Sequence, residues 1–304
     1  MSKAKPLELD VGGRAVQVSS PDKVLFPKDG ITKADLADYY ARVADTMLPH
    51  LEGRPISMLR YPDGIDGESF FQKDVPDYFP DWIRRAKVEK EGGTLEMMIA
   101  EEPAALVYLA SQACVTPHVW LSRIDRPQRP DRLIFDFDPP GNEFGPVRDG
   151  ARRMRDLLEE LGLVPYVMTT GSRGLHVTVP LDRSANFDQV RAFARGCAEL
   201  LVRRRPEQLT VEHRKAKRRG RVYIDTGRNA YAQTGVAPYA VRALPGAPVA
   251  APLDWSELGR ARPRSTTLAN LFRRLGRKDD PWADMGRKAR PLARAAGRLE
   301  RIQE

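Results

Sequence analysis

Two kinds of hydrophobic spacing run along the chain, and together they predict a mixed α/β protein. Alternation over LELDVGGRAVQV (7–18), with two glycines at its centre, predicts a β-hairpin, and the stretch from WIRRAKVEK to LEMMIA (82–100) predicts a second. PISMLRYP (55–62) and HVWLSR (118–123) are typical of strands, and GESFFQKD (67–74) is typical of a strand or a loop edge.

Helical spacing predicts two helices in the same half of the chain. Thr32 is followed three residues later by Asp35, which is a pattern typical of a helix start, and ADLADYYARVADTML (34–48) continues it. EPAALVYLASQA (102–113) is predicted to be a mostly apolar helix.

Beyond residue 130 strand patterns and helix patterns alternate. The predicted order there is a strand at 133–138, a helix at 145–162, strands at 164–170 and 175–181, a helix at 186–202 and a strand at 221–225.

Composition adds a positive charge to this picture. The chain of 304 residues carries a net charge of +9, which favours a polyanionic partner such as nucleic acid. An arginine-rich composition shared by a whole proteome would give the same value. The chain has no apolar run typical of a signal peptide or a membrane span, and Cys114 and Cys197 form no CxxC pair. We therefore expect a cytoplasmic protein with no membrane partner, in which both thiols are free and buried in helical or near-helical segments.

The candidate chemistry begins in DRLIFDFDPPGNEFGP (131–146). Asp136 and Asp138 alternate on one face of the predicted strand, where two like charges repel unless a cation lies between them. Asp225 ends the strand RVYID and shares its face with Tyr223. Three carboxylates without His or Cys beside them favour two Mg²⁺ or Mn²⁺ ions, which support phosphoryl or nucleotidyl transfer. Taken alone, the two aspartates would also suit a surface pair, a helix cap or a calcium ligand.

The turn TTGSRGLH (169–176) lies between two predicted strands. Gly171 and Gly174 allow backbone amides to approach an anion closely, while Thr170 and Ser172 offer hydroxyl groups and Arg173 offers a charge. His176 shares its strand face with Thr178, opposite three apolar residues. Taken alone, the turn would be no more than a strand connection, and only the order of the three motifs makes phosphate binding specific.

That order, FDFD, then SRGLH, then VYID, resembles the three catalytic motifs of the archaeo-eukaryotic primase superfamily. Within that superfamily the chain more closely resembles the polymerase domain of bacterial DNA ligase D, through PDKVLFP, TKADLADYY, GRPISMLRYPDG, FFQKD, FDFDPP, SRGLHV, VYID and APYAVRALPGAPVAAPLDW. The resemblance implies a primase-polymerase fold with central, mostly antiparallel or mixed sheets flanked by helices. It implies one domain at 1–290, with a DNA-binding half at 1–127, a catalytic half at 128–290 and a polar basic tail at 291–304. The match runs almost end to end, which predicts a stand-alone polymerase-domain protein.

The resemblance also implies a role for each matching residue. The catalytic metal ligands would be Asp136, Asp138 and Asp225. The nucleotide-binding residues would be His118, Thr170, Ser172, Arg173, His176, Arg228 and Arg242. The DNA-binding residues would be Lys23 and Lys33 at a 5′-phosphate, and Phe70 and Phe71 stacked on the template or the DNA terminus, although plain hydrophobic packing is the alternative for the aromatic pair.

The sequence departs from the family pattern at two places. Arg173 stands where the family usually has lysine, which keeps the charge and changes its geometry. TGRN (226–229) replaces a more typical Tyr-Leu-Gln/Arg-Asn run but keeps Arg228 and Asn229. The basic run HRKAKRRGR (213–221) is predicted either to contact DNA phosphates or to form a solvated loop.

The resemblance implies a nucleotidyltransferase, a template-directed DNA/RNA polymerase that fills gaps and processes ends in non-homologous end joining. We expect a monomer that uses Mn²⁺ or Mg²⁺ and NTPs or dNTPs, acts on DNA with gaps or double-strand breaks, and works beside a Ku-like end binder and a separate DNA ligase. Two other classes remain open. A haloacid-dehalogenase-like phosphohydrolase would need a later lysine and acidic pair that the sequence does not supply. A DNA-end-binding scaffold would keep the fold without turnover.

Overall fold

The computed structural model describes residues 5–304. Their strands, in chain order, are β1 (Leu7–Val11), β2 (Arg14–Val18), β3 (Val24–Phe26), β4 (Ile31–Thr32), β5 (Ile56–Arg60), β6 (Phe70–Gln72), β7 (Arg85–Lys90), β8 (Gly93–Met98), β9 (Cys114–Trp120), β10 (Arg132–Asp138), β11 (Tyr166–Thr169), β12 (Leu175–Pro180), β13 (Leu209–Thr210), β14 (Val222–Asp225), β15 (Thr234–Val236) and β16 (Pro252–Leu253). Their α-helices are α1 (Lys33–Leu51), α2 (Pro103–Ser111), α3 (Gly145–Glu160), α4 (Phe187–Arg204), α5 (Leu271–Leu275) and α6 (Leu292–Gln303), with 3₁₀ turns at Lys215–Lys217 and Met285–Lys288. The predicted mixed α/β class is confirmed.

The chain folds into two compact units, and neither unit is continuous in sequence. Of the described residues, the first contains 5–120 together with Thr234–Ala250 and Thr266–Lys278. The second contains Leu121–Gln233, Ala251–Ser265 and Asp279–Glu304. The chain therefore leaves the first unit after β9 and returns to it twice.

The first unit is built on a sheet with the order β15-β9-β5-β8-β7, in which β6 pairs with β5. The hairpins β1–β2 and β7–β8 have the predicted positions, and β5 and β6 form where strands were predicted. Helix α1 begins as predicted, because the Thr32 hydroxyl accepts from the Asp35 amide while the Asp35 carboxylate accepts from the Thr32 amide.

Strand β9 differs from its prediction. The strand predicted at 118–123 runs instead from Cys114 to Trp120, and all of its residues are buried. Pro117 lies inside it and weakens the sequence signal, because proline is rare in central strands. Cys114 therefore opens a strand, and the helical or near-helical setting predicted for it is wrong. Cys197 lies in α4 as predicted, and both thiols are free and buried.

The second unit is built on a sheet with the order β13-β14-β10-β12-β11-β16. One face of this sheet is apolar and packs against α3 and α4, as the helical spacing of both segments predicts. The residues of this core include Phe135, Phe137, Val147, Met154, Leu158, Leu175, Val177, Val190, Cys197 and Ile224. Because side chains alternate along a strand, the polar residues of β10, β12 and β14 share the opposite face.

The segment predicted as a polar basic tail contains α6. Leu292, Ala295 and Leu299 recur at helical spacing and are buried in the core of the second unit, while the arginines of the same helix are exposed. Across residues 5–304 we find no helix that combines the length and the apolar character needed to span a membrane.

Candidate active site

Strand pairing in the second unit brings three of the predicted residues side by side. Asp136 on β10 lies opposite Asp225 on β14 and opposite His176 on β12. Side chains at such directly opposite positions have their Cβ atoms roughly 4.5–5.5 Å apart. Asp138 lies opposite Tyr223 and shares the face of Asp136. The sheet therefore gathers both aspartates of the FDFD motif, the VYID aspartate and the SRGLH histidine on one surface.

Burial and like charge act together on these carboxylates. The pKa of Asp138 is raised, first by burial and next by the neighbouring charge of Asp136, with a smaller contribution from Asp225. Arg218 and Arg173 act in the opposite direction and lower it. A group of acids in this state stabilises a bound cation, because the cation relieves the repulsion between the acids.

His176 is positioned to bridge the acids and a ligand. Its Nε2 atom lies 3.5 Å from Oδ2 of Asp136, and the side chain is almost fully buried. Its Nδ1 atom is also buried and has no hydrogen-bond partner within the described part of the chain. A buried ring nitrogen without a partner is costly, so this atom is a candidate contact for a polar ligand.

The turn between β11 and β12 is held by the Thr170 hydroxyl. Its Oγ1 atom accepts from the Ser172 and Gly174 amides at 3.3 Å each and lies 3.2 Å from the Gly174 carbonyl oxygen. Gly171 has a φ of +66°, which favours glycine. Two amides of the turn are thus already bonded within it, and the Ser172 and Arg173 side chains are groups of this turn that could meet an anion.

A third segment packs against the same turn. The Arg264 guanidinium donates from Nε to the Ser172 carbonyl oxygen at 2.8 Å. The sequence motifs give no signal for Arg264, because it lies far along the chain in a polar stretch. Its contact fixes the backbone of the turn beside Arg173 and adds a second positive charge there.

The loop after β14 fixes Asp225 and the edge of β10. The Gly227 amide donates to Oδ1 of Asp225 at 2.7 Å, and the fully buried Asn229 side chain bonds both the amide and the carbonyl of Ile134. Arg228, which lies between Gly227 and Asn229 in the sequence, is half-buried. Asn229 therefore has a structural role, which explains why the altered TGRN run retains it.

Arg218, in the basic run 213–221, lies beside the carboxylates. Its guanidinium is 3.9 Å from the centre of the Tyr223 ring and donates to backbone carbonyls of Glu212 and His213. Burial and the charge of Asp225 raise the pKa of Tyr223 to about 12, so its phenol stays protonated. The basic run is thus partly ordered by its own hydrogen bonds.

The other predicted site residues belong to the first unit. His118 is a buried residue of β9, and Phe71 contacts its ring edge-on with the ring centres 5.3 Å apart. Phe70 and Phe71 are about half exposed, at 46% and 53%, as a stacking surface requires. Arg242 follows β15 in the segment Thr234–Ala250, and its amide donates to the Pro248 carbonyl.

Lys23 and Lys33 are close to each other and to a third cation. Burial lowers the pKa of Lys33, and the positive charges of Lys23 and Arg60 lower it further. Lys23 also pairs with Asp63 at 2.8 Å. Arg60, which sequence reasoning missed, bonds Gln72 and the Tyr78 hydroxyl, and its guanidinium lies 5.5 Å from the centre of the Phe70 ring. It therefore joins the lysine pair to the exposed aromatic pair.

Comparison with known proteins identifies the family. Residues 32–282 match the family described as LigD, primase-polymerase domain. The chain belongs to this family. LigD relatives include the multifunctional non-homologous end joining DNA repair protein of Mycobacterium tuberculosis, which is 34% identical over 298 residues, or 95% of this chain and 39% of that protein. The multifunctional and bifunctional non-homologous end joining LigD proteins of Pseudomonas aeruginosa and Bacillus subtilis are 33% and 31% identical, over 88% and 90% of this chain and 32% and 44% of their own lengths.

Solved structures agree with the family assignment. The polymerase domain from Mycobacterium tuberculosis ligase D in complex with DNA superposes with a TM-score of 0.85 at 34% identity, over 90% of this chain and 99% of that one. The chain thus spans about two-fifths of the length of its curated LigD relatives and nearly all of the LigD polymerase domain. The primase-polymerase fold expected from the motifs is confirmed.

The predicted metal site is not tested by the family or the fold. Within residues 5–304, no group of three or more His, Cys, Asp or Glu side chains has an arrangement that could hold a metal ion. Asp136, Asp138 and Asp225 are neighbours on one face of the sheet through strand pairing. The assignment of these three residues as metal ligands remains a prediction.

Proposed function

We propose that this chain is a template-directed polymerase, a nucleotidyltransferase that extends a primer 3′-hydroxyl with ribo- or deoxyribonucleotides. The hydroxyl attacks the α-phosphate of a nucleoside triphosphate, and pyrophosphate leaves. The observation that carries the proposal is the alignment of Asp136 with Asp225 and His176 across three adjacent strands. The LigD relatives are named for non-homologous end joining, and we propose gap filling and end processing in that repair as the role here.

The donor set fits two divalent ions. Asp136, Asp138 and Asp225 offer only oxygen atoms, which suit Mg²⁺ or Mn²⁺. Burial, followed by the charge of Asp136, raises the pKa of Asp138, and a bound cation would stabilise its ionised form. Two such ions, when bound, would lower the pKa of the attacking hydroxyl and neutralise charge on the phosphates. The chain itself would orient the reactants, and His176 would donate or accept a hydrogen bond at its Nδ1 atom.

The turn at 170–174 is proposed to hold the triphosphate. Ser172 and Arg173 would meet the phosphates directly, and Thr170 and Arg264 would keep the turn in shape through their bonds to its backbone. Arg228 is proposed as a further phosphate contact. The nucleotide-binding roles of His118 and Arg242, which belong to the first unit, stay predictions.

The first unit offers the features of a DNA-end site. Lys23, Lys33 and Arg60 lie close together, as their mutual effect on the pKa of Lys33 indicates, and three cations suit a 5′-phosphate. The exposed Phe70 and Phe71 suit base stacking. We further propose that the protein acts as a monomer in the cytoplasm, at the nucleoid, together with a Ku-like end binder and a separate DNA ligase.

Primer extension tests the proposal. A gapped duplex with a 5′-phosphate would be incubated with rNTPs or dNTPs and with Mg²⁺ or Mn²⁺, and a chelator would remove the metal in a parallel reaction. Metal-dependent incorporation directed by the template supports the polymerase. Absence of incorporation under every condition, with DNA binding intact, would instead support an end-binding scaffold.

Lys33→Gln is expected to reduce the preference for a 5′-phosphate over a 5′-hydroxyl by about tenfold or more, since a charge-assisted hydrogen bond contributes roughly 1.5–3 kcal/mol. Binding of the two duplexes by fluorescence anisotropy measures this preference. Lys28→Gln removes an exposed lysine of the same segment and serves as the matched control. Equal preferences in Lys33→Gln and the wild type would exclude Lys33 from the phosphate site.

The lowered pKa of Lys33 predicts how stability and 5′-phosphate preference change with pH. Between that pKa and the ordinary value of 10.5 the folded protein binds fewer protons at Lys33 than the unfolded chain does. The free energy of unfolding of the wild type should therefore rise with pH through this window relative to Lys33→Gln. Over the same window the preference for the 5′-phosphate should fall, because Lys33 loses its charge.

Phe70→Ala and Phe71→Ala are expected to weaken binding to a DNA end, by roughly 1–3 kcal/mol for each base that loses its stacking partner. Because both rings are about half exposed, the folded state should lose little stability. Phe71→Trp restores a stacking surface and should restore affinity. If the alanine variants bind normally and unfold at lower temperature, the rings serve packing instead.

A further inference from the structure

A small basic cavity lies in the second unit, away from the carboxylates. It has a volume of about 210 Å³ and is lined by the turn after α3, residues 161–163, and by three arginines, Arg290, Arg294 and Arg298. Arg290 precedes α6, and Arg294 and Arg298 lie one helical turn apart on it, about 6 Å along the axis. We call this feature the arginine pocket.

The floor of the arginine pocket is a tight helix end. Gly162 follows α3 with a φ of +84°, and the Leu163 amide donates to the Leu158 carbonyl at 2.9 Å. A Cβ atom at Gly162 would collide with the Arg298 guanidinium, so the glycine leaves room for it. The three arginines therefore surround a defined concavity.

The positive charge of this pocket is not balanced by the protein. In the described part of the chain none of the three arginines forms an ion pair, and the Arg290 guanidinium donates only to the carbonyl of its neighbour Ala289. Elsewhere in the same unit arginines do pair with acids, as the exposed Arg195 does with Glu199 and the partly buried Arg183 with Asp125. Three unbalanced guanidinium groups around one cavity are a site for an anion.

The arginine pocket is separate from the candidate active site. Leu181, directly after β12, forms a parallel β-bridge with Arg290, whereas His176 lies near the start of the same strand. A strand rises by about 3.3 Å per residue, so these two positions are roughly 17 Å apart along β12. An anion in the pocket is therefore not one of the phosphates of the reacting nucleotide.

We infer that the arginine pocket binds a phosphate group of a nucleic-acid backbone, at a point distant from the reacting end. A cavity of about 210 Å³ is below the roughly 300–1,000 Å³ of sites for drug-sized ligands, yet it accommodates a single phosphate group. Guanidinium groups match phosphate oxygens with two hydrogen bonds each. The net charge of +9 favours a polyanion over an isolated ion. The inference goes beyond catalysis, and a chain that bound DNA without extending it would retain this contact.

The test compares two triple variants that remove the same charge. Arg290→Gln/Arg294→Gln/Arg298→Gln empties the arginine pocket, and Arg191→Gln/Arg195→Gln/Arg203→Gln removes three exposed arginines of α4. Glutamine is a good helix former, and all six positions are exposed, so both variants should fold. Binding to a blunt duplex with 5′-hydroxyl ends would be measured by anisotropy between about 50 and 200 mM salt.

The slope of log affinity against log salt is negative, and we expect the pocket variant to reduce its magnitude by about 1, as loss of one phosphate contact requires. The α4 variant should change the slope less. Primer extension is measured on the same samples. It tests the proposed polymerase separately, because the slope reports DNA binding and not turnover. Equal slopes in the two variants would overturn the inference.

Two further measurements distinguish other anionic ligands of the arginine pocket from nucleic acid. Thermal stabilisation of the wild type by inorganic phosphate or pyrophosphate, lost in the pocket variant, would identify a free-phosphate site if the slopes for DNA are equal. Binding of a polyglutamate peptide that depends on the three arginines, again with equal slopes, would identify a surface for an acidic protein segment. Either result overturns the assignment to a nucleic-acid backbone.

Discussion

Asp136→Asn is expected to lower the rate of nucleotide incorporation by about 10³-fold, the scale on which removal of one preorganised electrostatic group acts. Asparagine has nearly the same shape as aspartate and keeps a carbonyl oxygen toward His176, so the fold should persist. It removes one of three charges at the point where β10, β12 and β14 place Asp136 between Asp225 and His176. Single-turnover extension of a gapped duplex measures the rate.

Asp156→Asn is the control for this prediction. Asp156 is an exposed carboxylate on α3 in the same unit, and it pairs only with its neighbour Arg155. Its replacement should leave extension unchanged. Retention of wild-type extension by Asp136→Asn, at equal DNA binding, would remove Asp136 from the catalytic groups and favour a different reaction centre.

Gly174→Ala is expected to abolish incorporation and to destabilise the second unit. A Cβ atom at this position would lie against the Phe137 carbonyl oxygen, closer than real Cβ atoms approach a backbone oxygen, and near Oδ1 of Asp136. Because the clash is with backbone of β10, the strand that carries both aspartates would have to move. Overpacking of this kind costs roughly 1–3 kcal/mol, which corresponds to about 2–4 °C in Tm per kcal/mol for a domain of 150–250 residues.

Gly141→Ala provides the matched substitution, since a Cβ atom there meets no other atom within 4 Å. Gly141 lies in the loop after β10, and its replacement should change neither Tm nor extension. Differential scanning calorimetry and primer extension would be measured on both variants. A Gly174→Ala protein with unchanged Tm and rate would show that the turn does not need its close approach to β10.

Periodicity along the sequence was sufficient to predict most of the elements of the second unit. Phe135 and Phe137 alternate with Asp136 and Asp138, so a strand with one apolar and one acidic face follows directly. The helices α3 and α4 follow in the same way from residues such as Met154 and Val190. These predictions succeed because each depends on neighbours within a few residues.

Strand pairing lay beyond that local information. Nothing in the spacing of Asp136 and Asp225 states that β14 and β12 flank β10. The resemblance to a family predicted that these aspartates act together, but it did not predict the strand order. Arg60 and Arg264 were missed because each reaches its partners from a segment distant along the chain. Arg218 was included only as part of the basic run 213–221, with no link to the carboxylates that it lies beside. In β9, Pro117 concealed the first half of a strand that pairing with β5 and β15 on its two sides maintains.

The threading of the chain through its two units has a consequence for biosynthesis. Strand β15 completes the sheet of the first unit by pairing with β9, and the Tyr39 hydroxyl on α1 donates to the Tyr239 carbonyl. Phe272, on α5, packs on Tyr39 as well. A ribosome adds roughly 5–20 residues per second, so the N-terminal segment emerges well before these partners exist. Until then β9 is an open sheet edge. Because an unpaired edge strand can pair with another chain, we expect a fragment ending near residue 233 to aggregate.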